Sequence, residues 1–188
     1  MLTDRGANLD LNLRSIDPTG FAAVYLSGYS LFGRALGEIK DFAARVKQAG
    51  ALLAIDPGSY GYIKDHGLEA FKELISEADL IFPNLEEDQL LGLSGVVALN
   101  VVTKGQSGAE AHWANGQSVE VAGLATESID PTGAGDAFCA GFLASLVTGE
   151  VFQDLAPEMV QMALKSGVEA GSQAVQLVGA RPSFNSGV

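Results

Sequence analysis

Three features of the sequence predict an α/β fold with a mainly parallel central sheet and helices on both of its faces. Short apolar runs alternate with segments whose apolar residues recur at helical spacing. The central runs are continuously apolar, as in strands buried on both sides. Several runs end in loop-forming residues, as at Asp56-Pro57-Gly58 and Pro83-Asn84. At 188 residues the chain reads as a single domain over residues 1–188, long enough for a substantial core.

Taken in order, residues 1–17 alternate loosely between apolar and polar (Leu9, Leu11, Leu13) and are expected to form a strand or an arm. Residues 24–26 are a short strand. Residues 33–48 carry Leu36, Ile39, Phe42, Ala43 and Val46 at helical spacing, and Gly50 stops that helix. Residues 51–55 read as a buried parallel strand closing on Asp56, and residues 68–78 as a helix with Phe71, Leu74 and Ile75 on one face. A strand over 80–82, a short acidic helix over 86–91 and a strand over 96–103 follow. Two strands, 109–113 and 118–121, flank Asn115-Gly116, a dipeptide suited to a tight hairpin. Helices over 134–146 and 157–177 close the chain. In such sheets ligands sit beyond the carboxyl ends of the strands, which groups Asp56, Asn84, Thr103 and residues 130–136 as candidates on one edge.

Apolar residues make up 47% and charged residues 18%, the balance of a packed soluble protein rather than a disordered one. A net charge of −12 argues against nucleic-acid and anionic-membrane partners, which need a basic surface. The one cysteine, Cys139, excludes an intrachain disulfide and fits a reducing cytosol. No apolar run reaches the ~18–20 residues of a membrane span. The first twenty residues are too polar for a secretory signal. A cytoplasmic protein acting on a small molecule is the expectation. Cys139 lies on an apolar helix face and reads as a buried small hydrophobe rather than a nucleophile. His66 and His112 stand far apart without metal-ligand spacing. Trp113 reads as a strand residue, and Tyr25, Tyr29, Tyr60 and Tyr62 as core or rim packing.

The most informative segment is residues 130–143, Asp-Pro-Thr-Gly-Ala-Gly-Asp-Ala-Phe-Cys-Ala-Gly-Phe-Leu. Gly133, Ala134 and Gly135 run into Asp136 and then into an apolar helix. A flexible turn opening a helix presents bare N–H groups at the positive end of the dipole, roughly +0.5 charge, where an anion can bind. Asp136 places a carboxylate in the same first turn. An anion cradle beside a base suits phosphoryl transfer, in which the protein neutralises developing charge and orients an attacking hydroxyl.

These fourteen residues resemble the second signature of the ribokinase (PfkB) family of carbohydrate kinases, including Ala140, Gly141 and Phe142 on the helix. The resemblance implies a ribokinase-like three-layer sandwich and ATP-dependent phosphorylation of a sugar or sugar-like hydroxyl. Gly133, Ala134 and Gly135 would form the anion hole, and Asp136 would be the catalytic base. Asn84-Leu85-Glu86-Glu87 resembles the family's Asn-x-x-Glu motif. Its amide and carboxylate share one face of a helical turn and can hold water around Mg²⁺. The same pattern is also that of an N-cap asparagine with an acidic first turn. Val102-Thr103-Lys104-Gly105 resembles the strand end that lies against the nucleotide, so Asn84, Thr103, Gly105 and Gly135 are the nucleotide-binding candidates. Lys104 could favour phosphates or be simply solvated. The run Gly179-Ala180-Arg181-Pro182-Ser183 resembles the loop that covers the adenine. In relatives with a monovalent-cation site, positions matching Asp130, Thr132, Ala174, Gly179 and Ser183 surround K⁺.

The resemblance covers the family's later two-thirds. Family members usually carry about a hundred further residues at the amino end, with a first glycine-rich signature, early strands and most of a lid, which nothing here matches. The stretch from Leu91 to Val96 is also shorter than the family's. The expectation is therefore a sandwich incomplete on its amino-terminal side, with an exposed sheet edge through which copies could associate. A truncated product, a sequence from which parts are omitted and a fold completed by a partner chain all remain open. The rival function is a truncated, non-catalytic nucleotide-binding module of the same fold. A dinucleotide-dependent oxidoreductase would need Gly-x-Gly-x-x-Gly after an early strand, and a P-loop would need Gly-x-x-x-x-Gly-Lys-Ser/Thr; neither occurs. Asp56 is a loose candidate for a substrate hydroxyl.

Overall fold

The computed structural model describes residues 6–93, 95–147 and 155–180. In chain order its elements are β1 (Ala23–Ser27), α1 (Leu36–Gln48), β2 (Leu52–Asp56), α2 (Tyr60–His66), α3 (Leu68–Ile75), β3 (Leu80–Ile81), α4 (Leu85–Leu91), β4 (Leu99–Thr103), β5 (Ala109–Trp113), β6 (Ser118–Val121), α5 (Ala134–Val147) and α6 (Pro157–Ala174). The strands follow chain order in one six-stranded sheet, with β1 at an edge. The first four run parallel, in a register that pairs Val24 with Leu53, Ile55 with Ile81 and Ile81 with Asn100. By contact the chain divides into two units, residues 1–102 with 112–117, and residues 103–111 with 118–188.

In the first unit the parallel pairs arise where apolar runs too short for helices are separated by amphipathic helices long enough to cross over. Ile39, Phe42, Ala43 and Val46 of α1 pack with Phe71, Leu74 and Ile75 of α3 against Leu26, Leu53, Ile55 and Ile81 of the sheet. Asp79 aligns the strand starts. Its carboxylate accepts from Leu53 N–H (2.8 Å), its own N–H donates to the Leu53 carbonyl (2.9 Å), and its carbonyl accepts from Leu99 N–H (3.0 Å). The helix over 33–48 begins three residues later than its periodicity suggests, at Leu36.

One expectation fails in this unit, and one helix arises without a sequence signal. The described part of residues 1–17 is neither strand nor arm; it holds 3-10 turns at Gly6–Leu9 and Leu13–Ser15. The reason is a pair of arginines from α1 and the loop before it. Arg34 donates to the carbonyls of Asn8 (3.2 Å) and Leu11, and Arg45 to those of Leu13 (2.5 Å) and Ile16 (2.7 Å). Carbonyls satisfied by guanidinium groups have no need of a sheet neighbour, and Leu13 is buried beneath them. The sequence carries no signal for α2, because Tyr60, Gly61 and Tyr62 are poor helix formers. It forms because the Ser59 hydroxyl caps Tyr62 N–H and Tyr62 is buried against Tyr29 and Phe32.

At the hairpin tip, the Asn115 side chain accepts from Gln117 N–H (2.9 Å) and Gly116 takes φ +88°, as the Asn-Gly pair predicts. Trp113 is the last residue of β5.

In the second unit α5 and α6 pack against each other, and α6 also packs on β6. The helices approach closely because glycines stand at the crossing. A Cβ on Gly141 would lie 2.7 Å from the Ser166 carbonyl oxygen, and one on Gly167 would lie 2.9 Å from the Phe138 ring. Phe138, Phe142 and Leu146 are buried along α5, and so is Cys139, as its apolar setting predicts.

Candidate phosphoryl-transfer site

The site residues fall into two groups, one in each unit. In the first unit, β3 ends two residues before Pro83-Asn84, and Asn84 is the N-cap of α4. Its side-chain oxygen accepts from Glu87 N–H (3.0 Å), while Asn84 N–H donates to Glu87 Oε2 (2.9 Å). This is a complete capping box, so both side chains satisfy orphan backbone groups of the helix start. The N-cap reading of this motif is therefore realised in the geometry. Glu87 is 4% exposed. Burial is the main cause that pushes its carboxyl up to about 7, opposed by the Asn84 N–H bond and reinforced by the negative charges of Asp56 and Glu86. Next to it, Asp88 accepts from the Asn100 side chain (2.7 Å), which ties α4 to β4. The Asp56 carboxylate, at the end of β2, accepts from Gly58 N–H (2.7 Å).

In the second unit the chain forms an open-mouthed cavity of about 320 Å³. Four of the sequence candidates line it: Thr103, Gly105, Ala134 and Gly135. Thr103 ends β4, and Gly105 opens a 3-10 turn, Gly105–Ser107, with φ +56°. Lys104 is half-buried and engaged by carboxylates. Its ammonium pairs with Glu110 (2.8 Å) and stands 3.8 Å from Glu120. That pairing fastens the end of β4 to β5 and β6.

The remaining walls were silent in the sequence. Phe138, Val168 and Val175 supply apolar surface, and Thr126, Ser128 and Ser172 supply hydroxyls. Gly108 and Gly123 also line the cavity and are mutually close. A Cβ on Gly108 would lie 2.0 Å from the Val121 carbonyl oxygen, and one on Gly123 would lie 2.1 Å from that of Gln106. The spaced glycines at 105, 108 and 123 were the available signal, but residues 122–129 have no periodicity to draw attention.

The turn before α5 is built around Asp130. One carboxylate oxygen accepts from Thr132 N–H (2.9 Å) and the other from Gly179 N–H (2.9 Å). The Thr132 side chain, followed by the Gly179 and Thr132 N–H bonds, holds the Asp130 carboxyl below its ordinary value. Ile129 N–H (2.7 Å) and Asp130 N–H (3.1 Å) both donate to the Val175 carbonyl. Gly133 takes φ +81°, a conformation in which side chains are strained, and a Cβ there would stand 3.0 Å from the Ala180 backbone. Ala134 N–H donates to the Pro131 carbonyl (3.2 Å) and Ala137 N–H to that of Gly133 (2.9 Å). The amides of Gly135 and Asp136 have no carbonyl partner among the described residues. Asp136 is exposed in the first turn of α5.

Of the residues assigned to K⁺, the fold brings Asp130, Thr132 and Gly179 together, and Ala174 ends α6 beside Val175. Ser183 lies outside the described residues. Among the described residues no group of three or more His, Cys, Asp or Glu is arranged to hold a metal ion, and none of their helices is long and apolar enough to cross a membrane.

Comparison with known proteins extends these observations. Residues 21–186 match the pfkB family of carbohydrate kinases. The ATP-dependent ribose-1-phosphate kinase of Halopiger xanaduensis is 32% identical over 141 residues, which cover 70% of this chain and 46% of that one. Adenosine kinase from Sinorhizobium meliloti superposes with a TM-score of 0.79 at 21% identity, covering 93% of this chain and 56% of that one. A fructokinase double mutant from Vibrio cholerae, solved with fructose, ADP and potassium ion bound, superposes with a TM-score of 0.74 at 23% identity, covering 90% and 59%. Both superpositions establish a shared fold, that of ribokinase-like kinases. The chain spans about half the length of the relatives it matches.

Proposed function

The chain belongs to the pfkB family of carbohydrate kinases, and from that premise we propose that it transfers the terminal phosphoryl group of ATP to a hydroxyl of a sugar or sugar-like molecule. The observation that carries the reading is the start of α5, where two amides without a carbonyl partner among the described residues and an exposed carboxylate share one turn beside a cavity. Asp136 takes the proton of the acceptor hydroxyl, whose oxygen then forms the new bond to the terminal phosphorus as the bond to ADP breaks. The amides of Gly135 and Asp136 steady the negative charge that develops on the transferring group. Gly133 and Ala134 shape that turn, and Ala134 N–H is engaged by Pro131. Thr103, Gly105 and Gly135 lie against the nucleotide, for which the cavity supplies apolar walls and hydroxyls.

Asn84 and Glu87 suit a hard divalent ion held through water. Their side chains offer oxygens, and a nearby cation would favour the ionised form of a carboxyl that burial, with the charges of Asp56 and Glu86, pushes up to about 7. Mg²⁺ would there neutralise phosphate charge. The backbone carbonyls of Asp130, Thr132, Ala174 and Gly179 would be neutral oxygen donors of the kind K⁺ takes, with the Ser183 hydroxyl as a further one. The protein is further proposed to be cytoplasmic, to have no nucleic-acid or membrane partner, and to self-associate through the β1 edge.

The test is a coupled assay for ADP release across a panel of sugars, nucleosides and polyols, run beside calorimetry with Mg·ATP. Turnover dependent on one acceptor supports the kinase. A second reading, nucleotide binding without transfer, is favoured by the cavity being lined wholly by one unit; binding without turnover on any acceptor would establish it. Absence of binding refutes both.

A further inference from the structure

The Asp130 carboxylate is not accounted for by the chemistry above. It joins segments 49 residues apart in sequence, the turn before α5 and the stretch after α6. Three further observations converge there. The Val175 carbonyl accepts from both Ile129 and Asp130. Ala180 lies so close over Gly133 that a Cβ on the glycine would meet its backbone at 3.0 Å. Val175, Ala134 and Gly135 all line the same cavity. Residues 175–180 thus form a strap across the turn that holds the proposed phosphate amides, and its far end is fastened by one side chain.

We propose that Asp130 is a positioning residue. Its two carboxylate oxygens, bonded to Thr132 N–H and Gly179 N–H, pin the strap over Gly133 and so fix the direction of the Gly135 and Asp136 amides. The inference rests on the phosphoryl-transfer reading for its effect on turnover, but not for the pinning itself. The geometry explains why a carboxylate is suited to the position. Two amides from different segments must be accepted at once, and the charge strengthens both bonds. An alanine would accept neither. An asparagine would accept one.

Two measurements on the full chain test this. Amide hydrogen exchange should show Gly179 and Thr132 opening about tenfold or more faster in Asp130→Ala than in the wild type, with Asp130→Asn between them and the amides of α1 unchanged. Steady-state transfer from ATP should show kcat reduced by about ten- to a hundredfold in Asp130→Ala, KM for ATP within about threefold, and partial rescue in Asp130→Asn. Unchanged exchange at Gly179 overturns the pinning, whatever the activity. Faster exchange with unaltered kcat, or kcat and KM lost together without rescue by Asp130→Asn, overturns the positioning role. If the wild type proves to bind nucleotide without transfer, the ratio of ADP to adenosine affinity replaces kcat, and an equal ratio in wild type and Asp130→Ala overturns the role. A wild type that binds no nucleotide refutes the functional reading and the positioning role together, while the exchange data still decide whether Asp130 pins the strap.

Discussion

The starts of α4 and α5 both carry acidic residues in the first turn, yet they end in opposite states. At α4 the chain satisfies itself, because Asn84 and Glu87 exchange side-chain and backbone bonds in a closed box. At α5 the preceding residues turn away. Asp130 serves Thr132 and Gly179, Gly133 takes a left-handed turn, and the amides of Gly135 and Asp136 are left without carbonyl partners among the described residues. A helix start that caps itself is a stability device. One that starts at a glycine, as α5 does at Gly133, has no capping side chain, and its dipole and amides suit an outside anion. Acidic residues near a helix start therefore do not reveal which kind it is; the destination of the side chain does.

The sharpest way to break the comparison is at the two acidic residues. Asp136→Asn keeps the open helix start but removes the base, and transfer is expected to fall by about a thousandfold, within the usual range for a lost general base. Nucleotide affinity, read by calorimetry, should barely change. Full retained turnover would remove Asp136 from the mechanism.

Glu87→Gln probes the closed start through pH. A carboxyl raised from 4.5 to about 7 in the folded chain binds a proton that the unfolded chain releases. Stability attributable to Glu87 is thus present in full below pH 4.5, declines as pH rises to about 7, and is flat above that. The full shift corresponds to at most about 3 kcal/mol. Urea unfolding without Mg²⁺ should show the wild type losing stability over this window relative to Glu87→Gln. Parallel pH profiles would mean that Glu87 is ionised without penalty.

Gly133→Ala should destabilise the open start by about 2 kcal/mol, since the added Cβ is disfavoured at φ +81° and meets Ala180. It should weaken ADP more than adenosine, because the turn that carries the amides must move. Asn84→Ala has the smallest expected effect, about 1 kcal/mol of stability from a lost N-cap. A thermal melt that did not move would show that the box is dispensable.

Where residues dictated structure over short range, the sequence was readable. The Asn-Gly hairpin, the buried strands and the helices after Gly33, Gly67 and Gly133 follow from backbone preference and apolar spacing. The glycine-rich turn into Asp136 was legible as a turn opening a helix because adjacent small residues set its backbone. Residues 1–17 misled because the arginines that hold them lie in and just before α1, and α2 stayed hidden because a cap and aromatic burial override its poor propensity. For Lys104 the deciding facts were Glu110 and Glu120 on other strands.

The sequence by itself determined the order of strands and helices, the family and the turn that opens α5, since each is written in local spacing and residue type. The tertiary structure alone decided which helix start is closed and which is open. It buried Glu87, spread the cavity wall over β4, the β4–β5 turn, residues 123–135 and α6, and set Asp130 against Gly179. Those outcomes depend on hydrogen bonds and desolvation between segments far apart in the chain, and such contacts leave no period or motif in either segment.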